Sequence, residues 1–488
     1  MTPEQALAIV ETLYGQLAAR RGELRRLEDY FSGRHELVYA SKEWRKYHQD
    51  RFANFSDNWC GVVGRAAPER TEVFGLRIGD DVDTQSEDER LLWRDWEVND
   101  GPAQSAQGFL ATAVLKRSAA LVWQDVETGD PVLTWEHPGQ MYVDYAPGSR
   151  VARYALKVWL DDDLECANLY TSSEVWKWAR PRAAVVDTLG RTPAGLYVPS
   201  ALGSAGWSRR SEDGDSGWPV AHRLGVLPVV EFVNRPLLGV GPISDIEGTI
   251  AMQDAINLMW GYLFVAADHA SMPARVVIGA EPPKMPILDE HGQVVGEKPL
   301  DIEALTQGRM LWLTGQADRN ASIAQWDAAK LDVFTNVLNV MVKHLASQTR
   351  TPIHYIMGEL GNVNGETLTA TELPLAMKVR EGHKHLVTPV REVFRRFALV
   401  RGNAAVAEQC RTAVVQWKNP ETSSDAQVSD AAVKDKSVGW PFAAILERRY
   451  GLSQPEIARV MAQVEAEGAD PTLERVLRTV QAVPGGTA

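Results

Sequence analysis

The chain has 488 residues, 45% of them hydrophobic and 24% charged, with a formal net charge of −13. That composition supports sizeable cores in more than one domain, and no run of about 18 uncharged apolar residues is present to span a membrane. It also argues against a protein that grips nucleic-acid phosphates over its whole surface, because such affinity comes from lysine and arginine displacing counterions.

The N-terminal stretch MTPEQALAIVETLYGQLAARRGELRRLEDYFSG lacks the basic start and apolar core of a signal peptide. It reads as an amphipathic helix over 1–31, with Thr2 as cap and Pro3 at the first helical position. Residues 50–78 continue as a helix running into a short strand, followed by a polar connection carrying Asp80, Asp81 and Asp83. EDERLLWRDWEVND, 87–100, is helical, with Leu92, Trp93 and Trp96 at three-to-four spacing, and a further helix covers 103–117. From 119 to 235 the pattern changes to strands. LVWQD, PVLTWEHP, MYVDYAP, RYALKVWLDDD and CANLYTSSEVWKWAR run apolar or alternate between turn residues, which predicts an antiparallel meander. Residues 203–217 read as a surface loop.

At Gly241 and Pro242 the pattern changes again. Residues 243–270 predict one long helix with Ser244 or Asp245 near its start, roughly 40 Å long at the usual rise. Ile246, Ile250, Ile256, Met259, Leu263 and Phe264 occupy several of its faces, so it needs more than one packing neighbour. Pro273 ends it. A Pro- and Gly-rich insert, 273–326, carries short strand signals such as RVVIGA and RMLWLT. A second multi-faced helix, 328–349, bears Phe334, Val337, Leu338, Met341 and Leu345 and stops at Thr351 and Pro352. A glycine-interrupted loop then opens a third long helix, 366–401, with Pro374 and Pro389 inside it and kinks expected there. The strand RTAVVQWKNP follows, and from Ser424 the chain reads as short helices ending in a frayed tail, 483–488. The fold class is α+β.

Catalytic signatures are weak. No GxxxxGK[ST] is present, so no P-loop ATP hydrolysis is expected, and GVGPIS (239–244) lacks the third glycine of a dinucleotide loop. Pro242 is better read there as a helix start. His383 and His385 point to different helix faces, which does not make a metal pair, and they read as solvated or interfacial. Asp161, Asp162 and Asp163 lack EF-hand spacing and read as a charged turn. The widely spaced Cys60, Cys166 and Cys410 form no CxxC, which fits a reducing compartment and neither zinc nor disulfides. Sixteen tryptophans scatter without a period, so no propeller is indicated. They suggest a carbohydrate-active enzyme only if they stand exposed as sugar platforms; alternating strand positions more often face a core. Arg391, Arg395, Arg396 and Arg401 give one helix a basic side, which reads as salt bridging before phosphate contact. No catalytic residue, cofactor or metal site is expected.

Four segments in order carry a family resemblance: NWCGVVGRAAPERTEVFGLRI, VVEFVNRPLLGVGPISDIEGTIAMQDAINLM, LASQTRTPIHYIMGELGNVNGETLTATE and VVQWKNPETSSDAQVSDAAVK. The chain resembles the portal proteins of tailed bacteriophages, in particular the portal family of long-tailed phages of actinobacteria and Gram-positive hosts. The resemblance runs along nearly the whole chain, with the 176–218 region unaligned and 273–326 matched by position only.

The resemblance implies a portal fold: an α/β wing (1–240), a first stem helix (241–272), a small α/β clip (273–326) and a second stem helix (327–350). A tunnel loop (351–371), a kinked wing helix with its strand (366–420) and a helical crown (421–488) complete it. It implies that Gly358, Gly361, Asn362, Val363, Asn364 and Gly365 line the narrowest part of a channel. It further implies a homo-oligomeric, dodecameric ring at the capsid vertex of the virion, assembled in the host cytoplasm. Double-stranded DNA would pass through it non-specifically during packaging and ejection. Its partners would be the major capsid protein, the terminase large subunit and a head-tail adaptor, with no membrane involved. Another ring-forming head-tail connector is the nearest alternative. The net negative charge then suits a conduit whose wall repels DNA.

Overall fold

A computed structural model describes residues 1–35, 37, 41, 42, 46, 55–79, 86–182, 206–212, 217–271, 275–278, 284–288, 291–299, 310–313, 322–325, 330–357, 365–421, 425–452 and 454–468. The chain divides into two compact units: 1–34, 58–250 and 346–488 form the first, and 35–57 with 251–345 the second.

The first unit begins with α1 (Pro3–Phe31), closed at its start by a capping box between Thr2 and Gln5. After α2 (Trp59–Ala66), a 3₁₀ turn (Pro68–Arg70) leads into β1 (Val73–Arg77). Ser86 and Glu89 form a second capping box on α3 (Glu87–Val98). Helix α4 (Gly101–Leu115) approaches the sheet closely at Gly108, where a Cβ would fall 1.9 Å from the Trp135 ring. β2 (Arg117–Gln124) is the middle strand of an antiparallel sheet between β3 (Pro131–Glu136) and β10 (Val229–Val233).

The expected meander is present in its later strands only, since LVWQD and PVLTWEHP belong to the separate sheet of β2 and β3 with β10. β4 (Met141–Tyr145), β5 (Ala152–Asp161), β6 (Leu164–Tyr170), β7 (Glu174–Pro181) and β8 (Ser208–Arg209) are antiparallel neighbours in chain order, and β9 (Val220–Ala221) also pairs with β7. Asp162 takes a left-handed conformation in the β5–β6 turn, so the aspartate run is a turn as read. α1 lies on this sheet through Val10, Leu13 and Leu17, against Val158, Leu169 and Trp176.

Two long helices lie mostly within the second unit's residue range. α5 runs Ile250–Ser271, preceded by a 3₁₀ turn at Glu247–Thr249, and α6 runs Leu331–Thr349. The expected start of the first at 243 is therefore corrected. Ser244 and Asp245 look like caps, but Ser244 Oγ donates to the Val114 carbonyl and Asp245 N to the Ala113 carbonyl. Both hold the chain in a non-helical turn beneath α4, and GVGPIS belongs to that turn rather than to a helix start. After α7 (Ile353–Met357), α8 (Gly365–Val400) contains both Pro374 and Pro389 within one helix. Its inner face meets α3 in an aromatic core where Trp93, Trp96, Phe394 and Phe397 contact one another. α9 (Ala404–Gln409) leads to β16 (Val414–Trp417), which pairs antiparallel with β1 across more than 300 residues of sequence. α10 (Asp425–Ser437), α11 (Phe442–Tyr450) and α12 (Gln454–Gly468) are the short C-terminal helices expected. The tail, 469–488, lies outside the described residues.

In the second unit, β11 (Arg275–Ile278) pairs parallel with β14 (Met310–Leu313) and antiparallel with β15 (Ser322–Gln325). β12 (Lys284–Leu288) and β13 (Val294–Pro299) make a separate hairpin. A small core joins Leu37, Phe55, Leu258, Phe264 and Val265.

Candidate functional site

Asp245 sits at the root of α5. Its carboxylate accepts from Lys378 Nζ at 2.9 Å, from Arg235 Nη2 at 2.5 Å and from Asn234 Nδ2 at 2.7 Å. Burial pushes the Asp245 carboxyl up, but Lys378 and Arg235 pull harder, and the net shift is downward. The Lys378 and Asp245 side chains are only 5% and 4% exposed. A buried charge pair of this kind is costly to break, since the surviving partner is left uncompensated. A small recess beside it is bounded by Thr71, Thr112, Gly382 and His385.

Other positions of α8 make further ties. Glu372, six residues before Lys378, receives Arg70 at 3.2 Å and His354 at 3.4 Å. Glu381 pairs with Arg350, which follows α6 directly, and Arg380 pairs with Glu421. Within the first unit, then, α8 holds the residue run that enters α5 (Asp245), the residue that leaves α6 (Arg350) and the residues preceding 358 (His354, with Tyr355 through Arg70). This is a mechanical junction: charged side chains join segments that are far apart in sequence and meet only on α8.

The sequence-predicted residues distribute as follows. Gly358, Gly361, Asn362, Val363 and Asn364 lie outside the described residues, and Gly365 is the first residue of α8. Ile246 and Ile250 are buried, but against Leu24, Leu27, Tyr30 and Cys60 of α1 and α2, not on a long-helix seam. Ile256 and Leu263 are buried, and Met259 and Phe264 are half-buried, with Phe264 edge-on to Phe55. On α6, Leu338 and Leu345 are buried, Phe334 and Met341 are half-buried, and Val337 is 39% exposed. Val333 and Val340 are exposed with Val337, at the i, i+4, i+7 spacing that makes one helix face. α6 thus has a face covered by its own chain and an open apolar face on the other side.

Two histidine and arginine readings are resolved. His383 is buried, not solvated, and its ring stacks on Trp417 at 4.3 Å between centroids. Burial first, and Arg380 second, push its pKa down to about 4. The four arginines are structural. Arg391 and Arg396 donate to the Ala413 and Leu227 carbonyls, Arg395 and Arg396 pair with Glu392, and Arg401 pairs with Asp95 and Asp130.

Five of the tryptophans that suggested sugar platforms are core residues, whereas Trp440 is 37% exposed. Trp96 and Trp176 are almost wholly buried, as are Trp93, Trp178 and Trp207. Trp207 and Tyr14 flank the Arg180 guanidinium at 4.2 and 4.6 Å, while Arg180 Nε and Tyr14 Oη both donate to Glu165. All three cysteines are free and buried. Among the described residues no group of three or more His, Cys, Asp or Glu is placed to hold a metal, and no helix is long and apolar enough to cross a membrane.

Arg70, Arg350, Glu372, Lys378 and Glu381 were not marked by any local pattern, and Asp245 was read only as a helix start, because each acquires its partner from another segment. Comparison with known proteins supplies the context. The family model described as phage portal protein, SPP1 Gp6-like, matches residues 11–440. Portal proteins of Mycobacterium phages L5 and D29 are 25% and 26% identical over 385 residues, covering 75% of this chain and 69% of each relative.

Proposed function

The chain belongs to the SPP1 Gp6-like family of phage portal proteins, and we propose that it is the repeating subunit of a dodecameric ring at one capsid vertex. In this reading residues 1–240 with α8 and β16 are the wing, α5 and α6 the stem, the insert 273–326 the clip, and the C-terminal helices the crown. The segment between α7 and α8, 358–364, is the loop at the narrowest part of the channel, shorter than the 351–371 expected because both flanks are helical. Double-stranded DNA passes without sequence recognition during packaging and ejection. The terminase large subunit and a head-tail adaptor dock on the ring, the major capsid protein surrounds it, and assembly takes place in the host cytoplasm.

The observation that carries the ring is the open face of α6. A helix that buries Leu338, Val342 and Leu345 within its own chain while presenting Val333, Val337 and Val340 to solvent is incomplete as a monomer. A head-to-tail contact repeated by rotation would cover that face and close on itself. The charge of −13 supports passage over capture, because a wall that repels phosphates does not hold them.

Electron microscopy of the purified chain tests the reading. Rings of about a dozen subunits with a central hole are expected of a closed cyclic assembly. A protein that stays monomeric across the accessible concentration range would overturn it. Tight binding of duplex DNA to the ring, with a steep salt dependence, would overturn the passive-conduit part.

A further inference from the structure

Arg70 ends the 3₁₀ turn between α2 and β1, and its guanidinium meets three remote segments. Nη1 donates to the Pro420 carbonyl at 2.9 Å. Nη2 lies 3.2 Å from Glu372 of α8 and donates to Tyr355 Oη of α7 at 2.5 Å. The guanidinium carbon stands 5.3 Å from the centre of the Tyr355 ring. His354 approaches the same Glu372 carboxylate from α7. Only a planar group with several fixed donors can serve a carbonyl, a carboxylate and a phenol at once; the compact lysine ammonium cannot. Burial opposes the charge on Arg70, but the Tyr355 and Glu372 contacts outweigh it and its pKa is raised.

α7 and α8 flank residues 358–364, so one side chain grips residue 355 on one side of that segment and residue 372 on the other. The two helices depend on this grip unequally. α8 is also anchored through Leu375 and Val379 against Ala66 and Ala67, and through Lys378. α7 has five residues and one buried side chain, Ile356. A helix that short has no stability of its own.

We infer that Arg70 is a positioning residue that holds α7 against α8 and so sets the spacing of residues 357 and 365. It does so without touching DNA. The inference rests on the reading of segment 358–364 as the channel loop. Losing Arg70 releases α7, leaves α8 in place and leaves the ring able to form.

The test uses full-length protein carrying Arg70→Gln, Arg70→Lys or Tyr355→Phe, beside a deletion of 360–365. Hydrogen exchange on assembled rings is expected to speed up at 353–357 by about tenfold in Arg70→Gln, the factor that follows from losing one charge-assisted hydrogen bond. Arg70→Lys and Tyr355→Phe should lie between, with exchange in β2 and β3 unchanged. Genome packaging or retention is expected to fall in Arg70→Gln as it does in the deletion.

Unchanged exchange at 353–357 overturns the clamp, whatever the loop does. Faster exchange with normal packaging, when the deletion is defective, overturns the positioning role and leaves the loop reading intact. Normal packaging in the deletion overturns the loop reading and the role that rests on it. If Arg70→Gln fails to fold, Tyr355→Phe decides, because it removes only a hydroxyl at the edge of the cluster.

Discussion

The first unit builds a large aromatic core of its own, whereas the described elements of the second leave runs of apolar side chains in solvent. Trp96, Phe394, Phe397 and Phe232 have almost no accessible surface. By contrast Met285, Ile287 and Leu288 of β12, Val294 and Val295 of β13, and Val333, Val337 and Val340 of α6 are all exposed. Both units have similarly apolar sequences, so the difference is not one of composition. The first unit packs its aromatic residues within one chain, and on the proposed ring reading the exposed apolar residues of the second are surface that other copies would cover.

Four variants probe that contrast, and the first three belong to the first unit. Trp96→Ala should lower stability by about 3–5 kcal/mol, because it removes an indole packed on Trp93 and Phe394 and leaves a cavity. An unchanged urea midpoint would show that this core is not what holds the unit. Lys378→Met should cost about 3 kcal/mol by leaving the buried Asp245 carboxylate with Arg235 and Asn234 only. A variant as stable as the parent would remove Asp245 from its place as the tie between α5 and α8.

A smaller effect is expected from pH. His383 is neutral in the fold, with its pKa near 4, while in the unfolded chain it titrates at the ordinary value of 6.5. Between those values the unfolded chain binds the proton and the fold does not. Stability from this group is therefore complete above 6.5 and is lost as pH falls towards 4, by at most about 3 kcal/mol. Arg380 and the stacked Trp417 face the ring and keep it neutral. His383→Gln should flatten the stability profile across that window; equal slopes in parent and variant would refute the assignment.

The smallest effect on folding is expected in the second unit. Val337→Asp with Val340→Asp should change the stability of the isolated chain by no more than about 0.5 kcal/mol, as for other exposed positions. The same pair should abolish rings. Rings that survive it would mean that the open face of α6 is not an interface between copies.

Local chemistry decided how much the sequence revealed. α1 was legible from Thr2 and Pro3 at its start and α3 from the three-to-four spacing of Leu92, Trp93 and Trp96, and each helix is closed by a local capping box. The meander was legible from its alternation. The start of α5 was not, because Ser244 and Asp245 have the chemistry of caps but are engaged by Val114, Arg235 and Lys378. His383 read as solvated because the ring that covers it, Trp417, arrives on a strand 34 positions later. The junction on α8 was invisible for the same reason: Arg70 and Glu372 are 302 residues apart.

The ties on α8 also differ in how they answer to salt. Lys378 and Asp245 are almost sealed from solvent, whereas Arg350 and Glu381 are 55% and 47% exposed, and Arg380 and Glu421 are comparably open. Mobile ions weaken exposed pairs over a screening distance of about 8 Å at physiological ionic strength and barely reach buried ones. Rising counterion concentration, such as accompanies densely packed DNA, would slacken the outer ties first and leave the inner one taut. The junction is thereby graded: its compliance is set by the ionic medium around it, while its anchor point stays where the buried carboxylate holds it.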